Sequence, residues 1–141
     1  MSEKSALDLL TAGAKIIAPV LEPHGFVFKI ETHAKGSGGW FASGSFTREN
    51  RSLELHFRQS LGLVTYHIDQ SLLNHEAYMR LLGVYGENQY PDFPDEPLES
   101  FRHLAADIEN HCKDFTTGDG LQFHPLAAMV AKDSMIFKGI P

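Results

Sequence analysis

Between Phe26 and Asp69 the chain alternates apolar and polar residues in four successive runs. Such a period of two fits half-buried β-strands, because successive side chains of a strand point to opposite faces. In the first run Phe26, Phe28, Ile30 and Thr32 share one face. Trp40, Ala42, Gly44 and Phe46 do so in the second, Leu53, Leu55 and Phe57 in the third, and Val64, Tyr66 and Ile68 in the fourth. The stretch Lys35-Gly36-Ser37-Gly38-Gly39 and the pair Glu49-Asn50 turn the chain, and Leu61-Gly62 lies in the last turn. The glycine-rich turn lacks the Gly-Lys-Ser/Thr ending and the following helix of a phosphate-binding loop, so it reads as a hairpin.

The registers constrain one another. Placing Ala34 opposite Trp40, Arg48 opposite Arg51 and Arg58 opposite Leu63 puts every apolar position on one face, and a one-residue slip in any pair would undo this. The other face then carries three rows of neighbours. They are Lys29, Ser45, Glu54 and His67; then Glu31, Ser43, His56 and Thr65; then His33, Phe41, Arg58 and Leu63. Directly opposed residues lie about 5 Å apart at Cβ, so Glu54 is expected to reach His67, and Ser43 to reach His56. His33, Phe41, Ser43, Glu54, His56, Arg58 and His67 are the candidate binding residues, because they mix aromatic, cationic and hydroxyl groups as recognition surfaces do. A serine, a histidine and a carboxylate in one row outline a nucleophilic set. A flat strand surface offers no preorganised oxyanion hole, and Ala42-Ser43-Gly44-Ser45 is not a nucleophile elbow. No catalytic residue is assigned.

Helices flank the meander. Leu7, Leu10, Ala14, Ile17 and Leu21 form an apolar stripe over residues 5–22, with Ser2 or Ser5 as cap and Pro19 expected to kink or end the helix. Asn74 caps a short helix over 74–82, with Leu73 and Tyr78 as a hydrophobic staple and Gly83 at its exit. Residues 86–97 form an acidic loop held open by prolines. A helix over 97–115 follows, starting at Pro97 after Asp95 or Glu96, with Leu98, Phe101, Ala105, Ile108, Cys112 and Phe115 on its stripe. Cys112 on that stripe reads as a buried thiol. In the segment 121–141, Pro125 to Lys132 reads as a short helix, and the apolar Met135-Ile136-Phe137 is expected to dock on the core.

Charge and composition bound the function. The 141 residues carry a formal charge of −6 with eight histidines. An acidic chain is a poor ligand for a phosphate backbone, which rewards clustered lysine and arginine. No apolar run approaches the roughly 18 residues of a membrane span. Met1-Ser2-Glu3-Lys4-Ser5 does not look like a secretory signal, and one cysteine allows no internal disulfide, so a cytosolic, cytoplasmic setting is expected. Two histidine groupings resemble metal ligands and fall short. His75-Glu76-Ala77-Tyr78-Met79 lacks the second histidine of a zinc-protease motif, and His103, Asp107 and His111 lie four residues apart on a helix flank that reads as solvated. No metal or other cofactor is expected.

The helix-to-strand passage Leu21-Glu22-Pro23-His24-Gly25-Phe26 and the acidic segment from Asp92 to Glu99 sit in a layout of helix, meander and further helices. Over residues 5–115 that layout resembles small acidic bacterial immunity proteins, which neutralise toxins through protein binding. The resemblance implies a fold and a binding role and transfers no functional residue. Small acidic secretion chaperones are similar in size and charge, but they place more strands after a middle helix.

The sequence therefore predicts an α+β domain spanning 1–141. Its four-stranded antiparallel meander has the N-terminal and C-terminal helices on its apolar face. It predicts a non-enzymatic binding protein that uses the polar sheet face or loop 86–97. The alternative is a small-molecule-binding protein or hydrolase with the Ser/His/Glu/Arg residues of that face in its site. The expected partner is a protein, not nucleic acid or membrane, and the chain is expected to be a monomer or a homodimer formed through an edge strand.

Overall fold

The alternating runs form one antiparallel sheet in a computed structural model that describes residues 2–92 and 94–137. Its strands are β1 (Val27–Gly36), β2 (Gly39–Arg48), β3 (Arg51–Arg58), β4 (Ser60–Ile68) and β5 (Ser71–Asn74), ordered in space as in sequence. The helices are α1 (Glu3–Leu21), α2 (His75–Leu81), α3 (Pro97–His111), α4 (Lys113–Thr116) and α5 (Phe123–Phe137). The α+β class and the placement of the helices agree with the sequence reading; the strand count does not. The fifth strand follows a turn in which Asp69 takes a positive φ of 53° and accepts a hydrogen bond from the Asn50 side chain at 2.9 Å. This reverses the chain at once, so Leu73 pairs with Tyr66 before α2 begins.

The β2–β3 register is the expected one, with Ala42 opposite Phe57, Gly44 opposite Leu55 and Phe46 opposite Leu53. The β1–β2 register holds from Phe28–Phe46 to Ile30–Gly44, then slips at a bulge on Glu31. Beyond it Thr32 faces Ser43 and His33 faces Ala42. The β3–β4 pair departs further. Arg58 faces Ser60 across Gln59, which sits at φ 61°, so the turn is tighter than expected. Leu53 then meets Tyr66 and Leu55 meets Val64. This register is displaced by two residues, and an even shift leaves every side chain on its own face. A second irregularity between Leu55 and Phe57 lets both Leu61 and Val64 point inward, while Gly62 and Leu63 stay exposed.

Helix α1 lies on the inner face. Ser2 caps it, accepting from the Ser5 amide at 3.1 Å. Pro19 does not end it; the helix runs on to Leu21 and closes in a 3-10 turn over Glu22–His24. Asn74 caps α2 and Glu96 caps α3 as expected from their side chains. The expected long third helix breaks at Cys112, whose φ of −108° and ψ of 31° are not helical, and α4 follows as a separate turn. Helix α5 starts earlier than Pro125; the expected docking of the Met135–Phe137 side chains lies outside the described residues. One core cluster joins α1, the inner sheet face and α3, with Phe26, Phe46, Phe57, Tyr66, Phe101, Phe115 and Phe123 fully buried. No helix is long and apolar enough to cross a membrane among the described residues.

Every helix packs on the inner side. On the outer face Val27, Leu63 and Leu72 remain 69%, 60% and 53% exposed. Among the described residues, then, nothing covers this side of the sheet.

Close approach on the inner side depends on two glycines. A Cβ on Gly44 would stand 2.8 Å from the Lys29 carbonyl oxygen, and one on Gly13 would stand 2.4 Å from the Phe101 ring. Alanine is the better helix former by about 1 kcal/mol, yet Gly13→Ala is expected to lower stability by about 1–3 kcal/mol through overpacking. Urea unfolding measures this; an unchanged or higher midpoint would mean that Phe101 moves aside at no cost.

Candidate functional site

The outer face brings four of the seven candidate residues together at one end. Phe41 on β2 stacks on His56 of β3, with ring centroids 5.1 Å apart and planes 27° from parallel. The Arg58 guanidinium lies over the same Phe41 ring, 5.4 Å from its centroid. Ser43 faces His56 across the strands, as expected. Arginine and aromatic rings in such contact gain from cation–π attraction and hold each other in fixed rotamers. A Cβ added to Gly36 or Gly38 would meet the terminal guanidinium nitrogens at 2.9 and 2.6 Å. The glycine-rich hairpin thus serves as a wall against which Arg58 lies.

The remaining candidates separate. Glu54 opposes Thr65 and His67 opposes Ser52, so the expected Glu54–His67 pair does not form. Both stay on the outer face, beside an open depression of about 430 Å³ that Thr47 and Ser52 also line. The bulge at Glu31 moves His33 to a position opposite Ala42, whose side chain faces the core. His33 therefore leaves the row that was to hold Phe41 and Arg58, and Thr32 replaces Glu31 beside Ser43. The cause is one added residue, which inverts the alternation beyond it.

Sequence reasoning missed a second, buried assembly. The His75 ring sits between the Tyr66 hydroxyl, 2.6 Å from Nδ1, and Asp107 Oδ2, 2.9 Å from Nε2. An ionised carboxylate only accepts, so Nε2 donates to Asp107, and Nδ1 is paired with the tyrosine hydroxyl. The Cys112 thiol donates to the Tyr66 oxygen at 3.7 Å. Asp107 also accepts the Gln89 amide at 2.7 Å and the Tyr90 amide at 2.9 Å, while the Tyr90 hydroxyl donates to the carbonyls of Leu61 and Gly62. Tyr66, His75, Asp107 and Cys112 are at most 2% exposed. Burial pushes the hydroxyls of Tyr66, Tyr78 and Tyr90 well up and the Cys112 thiol up to about 12, so all four stay protonated at neutral pH. The order carboxylate, imidazole, hydroxyl mimics a nucleophilic triad. Here the hydroxyl is sealed in the core, and the set joins β4, α2, the 86–97 loop and α3.

The residues gave a partial signal for this. Asp107 stands three places after Leu104 and one before Ile108, at the border of the α3 stripe, where a helix turns its side chains to the core. Reading it with His103 and His111 as a solvated flank was wrong: Asp107 turns inward to His75, and His103 bonds to Asp92 through Nδ1. Among the described residues no group of three or more His, Cys, Asp or Glu is placed to hold a metal ion. His124 lies in the first turn of α5, with its Nδ1 2.7 Å from the Ser71 hydroxyl.

Two of the four acids of the loop are engaged within the chain. Asp92 accepts from Ser100 at 3.1 Å as well as from His103, and Glu96 caps α3. Arg102 pairs with Glu96 at 2.9 Å and with Glu99 at 2.8 Å, which holds the Glu96 carboxyl below its ordinary range.

No family model, no curated protein and no solved structure matches the chain.

Three outcomes test the buried assembly. Asp107→Ala strands the His75 ring and two backbone amides, and is expected to cost about 3–5 kcal/mol in urea unfolding; a loss below 1 kcal/mol would mean that water or neighbours replace the carboxylate readily. The folded chain also holds the Cys112 and tyrosine protons to higher pH than the unfolded chain does. Raising the pH past about 9 therefore favours unfolding, while stability near neutrality is unaffected by these groups. A thiol reagent at pH 8 should label Cys112 only as fast as the protein opens; rapid native labelling would contradict the burial.

Proposed function

We propose that this chain is a non-enzymatic binding protein, of the toxin-immunity type, that takes a protein partner on the outer face of its sheet. The observation that carries the reading is the one-sided packing. The described helices lie on the inner face, and the outer face presents the Phe41–His56–Arg58 stack, with Leu63 exposed on the neighbouring strand β4. Aromatic and arginine side chains already held in place lose little entropy on binding and dominate interface energies. Between the two surfaces considered, the sheet face is favoured over loop 86–97, because the loop's Asp92 and Glu96 already have internal partners.

The competing reading is a small-molecule-binding protein or hydrolase using Ser43, His56 and Arg58. It has less support. Ser43 makes no hydrogen bond to His56 among the described residues, so the hydroxyl lacks the base contact that would activate it as a nucleophile. We place the protein in the cytosol, with a protein partner rather than nucleic acid or membrane, as a monomer or homodimer.

The test compares affinity capture by the wild-type chain and by a Ser43→Arg, Leu63→Arg double variant. Both positions are on the outer surface, so the fold should hold within about 0.5 kcal/mol per site. A protein retained by the wild type and lost at least roughly tenfold by the variant is expected. Equal retention by both, or no specific partner for either, would sink the reading.

A further inference from the structure

We infer that Arg58 is the anchor for a carboxylate side chain of the protein partner, an inference that rests on the outer face being the binding surface. The other arginines are engaged within the chain. Arg48 donates to the His24 carbonyl, Arg51 to the carbonyls of Asp114 and Phe115, Arg80 pairs with Glu76, and Arg102 with Glu96 and Glu99. Arg58 has no hydrogen-bond or ion-pair partner among the described residues. Its Nε is buried without an acceptor, as is that of Arg48. The two terminal nitrogens are not sealed in the same way, and they lie along the Gly36–Gly38 wall.

The pose is held without an acid. The Phe41 ring supports one side of the guanidinium, and the absence of side chains at Gly36 and Gly38 leaves it the space it occupies. A planar fork held in this way suits two parallel hydrogen bonds to a carboxylate, and a fixed fork loses less entropy on binding than a free one. The charge pattern agrees. Across the strands Arg58 faces Ser60, and along β3 its neighbour on the face is His56; the nearest acid on that strand's outer side is Glu54, in mid-strand beyond His56. A chain of net charge −6 thus leaves one cationic end on its open surface.

Two other occupants fit less well. A phosphate backbone gains from several cations at once. Lys29, the other outer-face cation, sits beyond Ser45 near the far end, and Lys35 lies past the bulge opposite Trp40. Phe41 already carries His56 and Arg58 on its ring, so it gives a nucleic-acid base no free stacking platform.

The experiment titrates the isotope-labelled full chain with N-acetyl-Gly-Glu-Gly-amide, with its Gln counterpart and with inorganic phosphate at constant ionic strength. NMR follows the Gly36 and Gly38 amides and the Arg58 Nε–H. The Glu peptide should give saturable shifts there, and the Gln peptide should bind roughly tenfold more weakly, the ratio expected for one charge-assisted contact. Arg58→Gln should weaken the Glu peptide by a similar factor with the spectrum of the fold unchanged, and Arg58→Lys should fall between. Gly38→Val, which keeps the charge and fills the space of the fork, should weaken it as well. Equal binding of the Glu and Gln peptides, an Arg58→Gln chain as competent as wild type, or tighter binding of phosphate would each overturn the assignment. If it is overturned while Ser43→Arg, Leu63→Arg still abolishes partner capture, the binding face stands and only its anchor falls.

Discussion

The carboxylate of Asp107 is the point on which the separate parts of this structure converge. It comes from α3, holds the ring of His75 at the start of α2, and through that ring reaches Tyr66 on β4. Its remaining capacity is taken by two backbone amides of the proline-rich loop, which could not otherwise enter the core with their N–H groups satisfied. Hydrophobic burial supplies most of the driving force but has no preferred direction. A buried charge with three donors at fixed angles does, and it specifies how the loop and α2 sit on the sheet. Removing one member leaves the others unpaired in a medium that penalises them heavily.

With that side so tied down, the two faces of the sheet have divided roles. The inner face takes α1 and α3, and needs small residues at Gly13 and Gly44 so that backbones and rings can approach. The outer face is free to carry groups that contribute little to folding. Arg58 illustrates the division: its guanidinium rests on Phe41, with no hydrogen-bond or ion-pair partner among the described residues.

The apolar face was legible from residues alone because its pattern has a period of two, and any even displacement of a strand leaves it intact. Leu53, Leu55, Val64 and Tyr66 were therefore assigned to the core although their partners were misjudged by two positions. Neighbour relations on the polar face have no such protection. They depended on Gln59 taking a left-handed conformation, and on an extra residue at Glu31 whose chemistry resembles that of its neighbours. The Phe41, Ser43, His56 and Arg58 grouping survived because it spans mainly the β2–β3 pair, whose tight Glu49-Asn50 turn admitted only one register. The fifth strand was missed because Ser71–Asn74 is too short to show a period, and Asp107 was missed because one carboxylate beside an apolar stripe looks the same in sequence whether it faces water or the core.

The bulge at Glu31 has a bearing on association as well as on His33. Strand β1 is ten residues long and lies at one edge of the sheet, whereas the other edge is the four-residue β5. A straight strand of that length would offer an unbroken row of N–H and C=O groups to any extended chain. The irregularity after Ile30 divides the row, and the charges of Lys29, Glu31 and Lys35 border the break. Natural sheets guard their edges by such interruptions. The kink that spoils the predicted row of polar neighbours thus acts as a guard against indiscriminate strand addition along the ten-residue edge.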